Sequence, residues 1–129
     1  MTDLASIRRR RRLVTSVCVA LWAAAAVVSH VPSDDVPATG IGDLTAHVLG
    51  YFVMTAALWL SLSAHGWTRK ARLIGSLVIA AGYGALDETT QQFFGRTPDL
   101  IDWAADMAGA AAAVVACELL ARVREASGK

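Results

Sequence analysis

Residues 13–31 read LVTSVCVALWAAAAVVSHV and contain no formally charged side chain. At a rise of about 1.5 Å per residue, a helix of this length reaches across the roughly 30 Å hydrocarbon core of a bilayer. An uninterrupted apolar run excludes a sheet, because half-buried strands alternate and open sheet edges are not tolerated in lipid. The stretch therefore predicts a membrane-spanning helix.

Three further apolar segments follow it. Residues 44–64 are also free of formal charge, whereas the last two segments reach the length of a span only by including acidic residues. We therefore predict an all-α fold, a polytopic membrane protein with a bundle of four transmembrane helices, in a single domain covering residues 1–129. The predicted helices are about 13–31, 44–64, 71–92 and 100–122.

The composition agrees with this fold class. The chain has 129 residues, of which 55% are hydrophobic and 18% charged, and its formal net charge is +1. These values exclude a disordered, collagen-like or disulfide-framed chain. Small residues recur on the last helix at Ala105, Gly109 and Ala113, a small-xxx-small line that allows two helices to approach closely in lipid.

The basic residues predict the orientation. In a four-helix hairpin arrangement, every Lys and Arg except Arg96 falls on one side of the membrane. Because short cytoplasmic loops collect Lys and Arg, both termini are predicted to be cytoplasmic in a multi-pass protein of the bacterial cytoplasmic membrane. A cleaved signal peptide is the alternative interpretation of the N-terminus, but the apolar run is longer than a usual signal core.

The arginine run at residues 8–12 abuts the first predicted span. This position is typical of a topology anchor that also favours anionic lipid. We therefore predict a lipid bilayer as the partner of the basic end, and no nucleic acid.

Polar side chains on three helices point to the opposite, outer end. Asp43, His47 and Tyr51 are spaced by four residues and so share one face of the second helix. The end of the third helix, the turn after it and the start of the fourth helix contribute the others. The predicted ligand-binding residues are Asp43, His47, Tyr51, Glu88, Gln91, Arg96, Asp102 and Asp106.

Glu88 and Asp106 lie at membrane depth, where an unpaired carboxylate is costly. An Arg96 fork held by Glu88 and one aspartate is the most economical pairing. At the inner rim, Glu118 is four residues before Arg122, which predicts an ion pair within the helix.

Each member of the outer polar cluster also has a simpler interpretation, such as a helix cap for Asp43 or Asp102, core packing for His47, an aromatic belt for Tyr51 and a solvated loop charge for Arg96.

The order of these motifs resembles that of the VanZ-like family of small bacterial membrane proteins. The motifs are D-x3-H-x3-Y, E-x2-Q, G-R and D-x3-D-x2-G, in a region of roughly residues 40–120. Two positions depart from the family's usual pattern: Leu44 stands where Lys is usual, and Asp106 stands where Asn is usual, which adds a negative charge. The family is named for an accessory protein of teicoplanin resistance, so the resemblance implies a polytopic protein of the cell envelope. In this chain the matching residues are Asp43, His47, Tyr51, Glu88, Gln91, Gly95, Arg96, Asp102, Asp106 and Gly109.

Three functions remain open from these residues. The cluster could bind an anionic cell-envelope or lipid-linked ligand through Arg96 and so influence glycopeptide (teicoplanin) susceptibility. It could also modify such a ligand, with His47 and Glu88 as the candidate catalytic acid and base. The alternative is a structural or accessory membrane protein whose polar cluster only stabilises helix packing.

The sequence does not decide whether the protein is an enzyme. The cluster contains no Ser or Cys nucleophile. It also shows no recognised spacing of metal ligands, so we predict no metal and no cofactor, although His47 with Glu88, Asp102 and Asp106 could ligate a hard cation.

Overall fold

The structure, a computed structural model, describes residues 3–32 and 42–128, and the regular structure in these ranges is helical, without strands. The predictions of an all-α fold and of four long helices are confirmed. A short 3-10 helix, Gln92–Phe94, continues the third helix into the next turn. The four long helices are α1 (Leu4–Ser29), α2 (Asp43–Ala64), α3 (Arg69–Gln91) and α4 (Leu100–Ser127).

Two helices extend more than two residues beyond the prediction, and both of these extensions lie at the basic end. Helix α1 begins at Leu4 rather than at residue 13, because Asp3 caps it by accepting the N–H of Ala5 at 3.2 Å and arginine is a good helix former. Helix α4 continues past residue 122 to Ser127, with Arg124 in its last turn, where a cation interacts favourably with the helix dipole.

Three of the four helices are long and apolar enough to cross a membrane. Their most apolar windows have mean hydropathies of 1.8 in α1, 1.4 in α2 and 1.6 in α4. Among the residues that the structure describes, α3 does not reach that level, because basic residues interrupt its first turn and acidic residues its last. The predicted set of four spans is therefore supported for three helices.

The closest packing joins α2 to α4. A Cβ atom on Gly109 would overlap the carbonyl oxygen of Val48 and would lie 3.1 Å from the backbone nitrogen of Phe52. Ala105 and Ala113, one turn away on either side, are buried along the same line. The predicted small-residue line is thus the surface on which the two helices meet, and it sets how closely their side chains approach at either end.

At the basic end, a buried carboxylate joins three helices. Glu118 of α4 accepts hydrogen bonds from Arg69 Nε at 2.8 Å, from Arg72 Nη2 at 3.4 Å and from the indole nitrogen of Trp59 at 3.0 Å. The predicted pairing of Glu118 with Arg122 is wrong. The Glu118 side chain is only 8% exposed and faces α2 and α3, whereas Arg122 lies on the exposed face of α4.

Helix α1 also belongs to this end of the bundle. Arg11 Nε donates to the carbonyl oxygen of Ala64 at 2.8 Å, at the end of α2. Nearer the middle of the bundle, Trp22 donates to the carbonyl oxygen of Met54 at 3.1 Å. Cys18 is nevertheless the one buried side chain of α1 in the described range, so most of the apolar surface of this helix is exposed.

We expect Gly109→Ala to lower the free energy of unfolding by about 1–3 kcal/mol, because the added methyl group forces α2 and α4 apart. The measurement is reversible unfolding in mixed detergent micelles, followed by circular dichroism. Gly50→Ala is the matched control: nothing lies within 4 Å of the position that its methyl group would take, and the substitution should be neutral or stabilising by up to about 1 kcal/mol. Equal stability of the two variants would contradict the close contact of α2 and α4 at Gly109.

Candidate functional site

An imidazole ring flanked by two carboxylates forms the centre of the acidic end. His47 Nδ1 lies 2.8 Å from Asp106 Oδ1, and His47 Nε2 lies 3.7 Å from Asp102 Oδ2. Because Asp102 and Asp106 are one helical turn apart, they lie on the same face of α4 and reach both edges of one ring. Asp99 fixes the start of that helix by accepting the N–H of Ile101 at 2.8 Å.

The deeper side of the site converges on Gly84 of α3. A Cβ atom at that position would lie 3.2 Å from the hydroxyl oxygen of Tyr51 and 3.3 Å from Asp106 Oδ2. Both oxygens are buried and find no hydrogen-bond partner among the described residues. The glycine therefore leaves room for two polar atoms from α2 and α4 to face α3.

Glu88 closes the site from the end of α3. Its side chain is buried, and its Oε2 accepts the backbone N–H of Asp99 at 2.9 Å. Its other oxygen, Oε1, is buried without a hydrogen-bond partner in the described parts of the chain. The carboxylate thus holds the start of α4 with one oxygen and leaves the second available.

The predicted Arg96 fork is wrong in one of its two partners. Arg96 Nη2 lies 3.9 Å from an aspartate, Asp43 Oδ1, but Glu88 is paired with the Asp99 backbone instead. The reason is the turn after α3: Gly95 has a φ of 74°, a left-handed conformation that favours glycine. This turn carries Arg96 towards the beginning of α2, while Asp99 returns to Glu88.

Gln91 lies in a neighbouring network that sequence reasoning missed. Its amide donates to Asp87 Oδ2 at 3.1 Å, and Ser29 Oγ donates to Asp87 Oδ1 at 2.7 Å. His30 Nε2 lies 2.9 Å from Thr90 Oγ1. These contacts fasten the end of α1 to the end of α3. The sequence signal for this network was the polar pair Ser29 and His30, which follows the apolar residues of α1.

The structure therefore places the predicted residues in three groups at the same end of the bundle: a centre, a rim and the neighbouring Asp87 network. His47, Asp102 and Asp106 form the centre, with Glu88 and Tyr51 beside it, whereas Arg96 and Asp43 lie at the rim. Gln91 belongs to the Asp87 network. The centre can exchange a proton at His47 Nε2 while Nδ1 stays hydrogen-bonded to Asp106.

Two overlapping sets of side chains also have the spacing of metal ligands. Donor atoms of His47, Glu88 and Asp106 all lie within 4.8 Å of one another, and so do those of Asp43, His47 and Asp102. The first set is largely buried and the second lies nearer the surface.

The fold and site define a class: a small helical protein with membrane-length helices and a partly buried cluster of acids and histidine at one end. The family model described as VanZ/LLP1 matches residues 28–121, most of the chain, and includes every residue of the cluster. The chain belongs to the VanZ/LLP1 family, which confirms the resemblance of its motifs. Neither the curated proteins nor the solved structures include a match to this chain.

We expect His47 and Asp106 to be energetically coupled. His47→Gln and Asp106→Asn, alone and combined, should give a coupling free energy of about 1–3 kcal/mol, as for a hydrogen bond to a charged group. The measurement is again unfolding in detergent micelles. The matched control replaces His47→Gln with His65→Gln, an exposed residue that bonds only its own helix at the Ser61 carbonyl oxygen, and this pair should be additive. If the effects of His47→Gln and Asp106→Asn on the free energy of unfolding are additive, the 2.8 Å contact between these side chains contributes nothing to stability.

Proposed function

We propose that the chain is a multi-pass protein of the cell membrane whose acidic end faces outward and binds the anionic group of a cell-envelope or lipid-linked ligand. The observation that carries this proposal is the convergence of three helices on buried polar atoms without partners in the described residues. These atoms are Tyr51 Oη, Glu88 Oε1 and Asp106 Oδ2. A buried polar group that lacks a hydrogen bond destabilises the fold, so its presence favours a ligand-related role. The two carboxylate oxygens among these atoms suit a hydrogen-bond donor or a cation, so the anionic group itself would be held by Arg96.

The distribution of charge supports the orientation. Arg11 contacts the end of α2, and Arg69 and Arg72 contact Glu118 of α4, so the basic residues of separate loops gather at one end of the bundle. Short cytoplasmic segments are enriched in Lys and Arg. The His47 cluster lies at the opposite end of the same helices and would face the cell envelope.

Arg96 is the group that would hold the anion. Its side chain is 16% exposed, and its partner Asp43 is 69% exposed and 3.9 Å away, an ion pair of little strength. The guanidinium group therefore keeps N–H donors for a phosphate or carboxylate, which it can hold with two parallel hydrogen bonds.

His47 and Glu88 are the candidates for acid and base if the ligand is modified as well as bound. His47 is oriented by Asp106 in the way that a carboxylate commonly orients a catalytic imidazole. Glu88 has one buried oxygen that the Asp99 backbone does not use. Binding is the primary proposal, with an influence on glycopeptide (teicoplanin) susceptibility as its expected effect in cells.

We expect Arg96→Lys to weaken binding of a polyprenyl phosphate by at least about tenfold, since lysine cannot form the two parallel hydrogen bonds. Native mass spectrometry of the purified protein, with the uncharged polyprenol as the reference lipid, measures the effect. Arg122→Lys, an exposed change at the basic end, is the matched control and should bind as the wild type does.

Equal binding of the phosphate and the polyprenol would contradict the role of the anionic group. If Arg96→Lys binds normally while substitutions at His47 and Asp106 only reduce stability, the cluster serves packing, and the structural alternative replaces the binding proposal.

We expect reporters of topology to place the C-terminus on the cytoplasmic side and the turn before α4 on the outer side. Alkaline phosphatase fused after Lys129 should be inactive and a fluorescent protein fused there should be bright, because the fluorescent protein folds in the cytoplasm and the phosphatase does not. The matched fusion pair after Thr97, in the turn before α4, should give the opposite result. An active phosphatase after Lys129 would overturn the orientation.

A further inference from the structure

We propose that His47, Glu88 and Asp106 form a binding site for a divalent transition-metal cation, which joins the anionic ligand to the protein. The cation would occupy the cluster that we propose as the ligand site, so this assignment rests on the function proposed above. It differs from the expectation of no metal that the sequence alone supports.

The first support is geometric. The donor atoms of the three residues come from α2, α3 and α4 and lie within 4.8 Å of one another. A cation with bonds of about 2.0–2.3 Å to nitrogen and oxygen bridges ligand atoms at most about 4.6 Å apart. Only two ligands on opposite sides of a cation lie that far apart, and neighbouring ligands in a tetrahedral shell lie about 3.4 Å apart, so the three donors would close on the cation as it binds.

The second support is the state of the carboxylates. Asp106 is 0% exposed and Glu88 6% exposed, and each has one oxygen that is buried without a hydrogen-bond partner in the described residues. The other oxygen of each is already held, by His47 and by the Asp99 backbone respectively. Glu88 is thus fixed in place by one oxygen, with the second left for a further partner. At Asp106, a cation bound to His47 Nδ1 would take the place of the proton that this nitrogen shares with Oδ1, so the ring and the carboxylate would be joined through the metal instead.

Charge balance points to a dication. When both are ionised, two buried carboxylates beside one imidazole carry a net negative charge whether the ring is neutral or singly protonated. A divalent cation with a neutral His47 makes these three residues and the ion neutral together, which lowers the cost of burying the carboxylates. It also resolves the electrostatic conflict of an anionic ligand approaching a cluster of acids.

The outer set of Asp43, His47 and Asp102 is the weaker candidate. Asp43 is 69% exposed and lies near Arg96, which competes with a cation for the carboxylate. The inner set, His47, Glu88 and Asp106, shares His47 with the outer set, but both of its carboxylates are buried. The two sets make different predictions for substitution, because only the inner set uses Glu88 and Asp106.

The donor types narrow the choice of metal. One imidazole nitrogen with carboxylate oxygens suits Mn²⁺, Fe²⁺ or Zn²⁺, whereas Ca²⁺ and Mg²⁺ prefer shells made of oxygen alone. Three protein ligands leave coordination positions for water or for an oxygen of the ligand, and Arg96 at the rim is available for a second oxygen of the same anionic group.

The test is a titration of the purified, chelator-treated full chain in detergent micelles with Mn²⁺, followed by electron paramagnetic resonance. We expect one Mn²⁺ per chain, displaced by Zn²⁺ but not by equal Ca²⁺, with a nitrogen coupling that His47→Gln removes. Glu88→Gln and Asp106→Asn should each weaken binding by at least about tenfold. Asp43→Asn is the matched control and should change the affinity less than about twofold, since the inner set does not use this side chain.

Both site variants keep the existing contacts, since the new amide oxygens can still accept from the Asp99 N–H and from His47. Their folding is checked by circular dichroism, and the Mn²⁺-dependent rise in the thermal midpoint should be present in the wild type and lost in both. If either variant fails to fold, the other variant, the loss of the nitrogen coupling in His47→Gln and the unchanged affinity of Asp43→Asn together still decide the proposal. If only Asp43→Asn weakens Mn²⁺ binding, the site is the outer set and the assignment to Glu88 and Asp106 is wrong. If the wild type binds no Mn²⁺, the proposal of a metal site is overturned.

A second titration with polyprenyl phosphate separates the two proposals. Binding that is at least about tenfold tighter with Mn²⁺ supports both. Binding of Mn²⁺ without any binding of the phosphate retains the metal site and rejects the proposed ligand. Binding of the phosphate that is unchanged by a chelator retains the ligand and rejects the metal as its link to the protein.

Discussion

The close contact of α2 and α4 at Gly109 is the constraint on which the rest of the bundle depends. With a side chain excluded there, the backbone of α4 lies directly against Val48 and Phe52. This spacing is what allows His47 to reach Asp106 one turn towards the acidic end, and Trp59 to reach Glu118 towards the basic end. A wider separation would break both contacts at once, since each joins the same two helices.

The two ends of the bundle use buried carboxylates in opposite ways. At the basic end, Glu118 is surrounded by three donors, and both of its oxygens accept hydrogen bonds. At the acidic end, Asp106 and Glu88 are equally buried, yet each keeps an oxygen without a partner in the described residues. A fully satisfied charge stabilises one arrangement of helices, whereas a partly satisfied one is suited to take up another group.

Sequence reasoning predicts the helices and the sorting of their charges well. The length of the charge-free run at residues 13–31 sets the fold class, and the spacing of Asp43, His47 and Tyr51 places them on one face. The pairing of individual side chains is harder to predict, as Glu118 demonstrates by contacting Arg69 instead of Arg122. Such pairing depends on the rotation and axial offset of neighbouring helices, which the packing at Gly109 determines.

Helix α1 has a mechanical consequence for the whole assembly. It runs unbroken through 26 residues, about 39 Å, although its charge-free part covers only about 26 Å. In a bilayer, a charge-free part shorter than the roughly 30 Å hydrocarbon core is accommodated by thinning of the lipid or by flanking arginine side chains that reach to the interface. Arg11 is hydrogen-bonded to the end of α2, and Ser29 is hydrogen-bonded to Asp87 of α3. A movement of α1 would therefore displace both ends of the bundle. In a bilayer, local thinning around α1 would therefore be transmitted to both ends of the bundle.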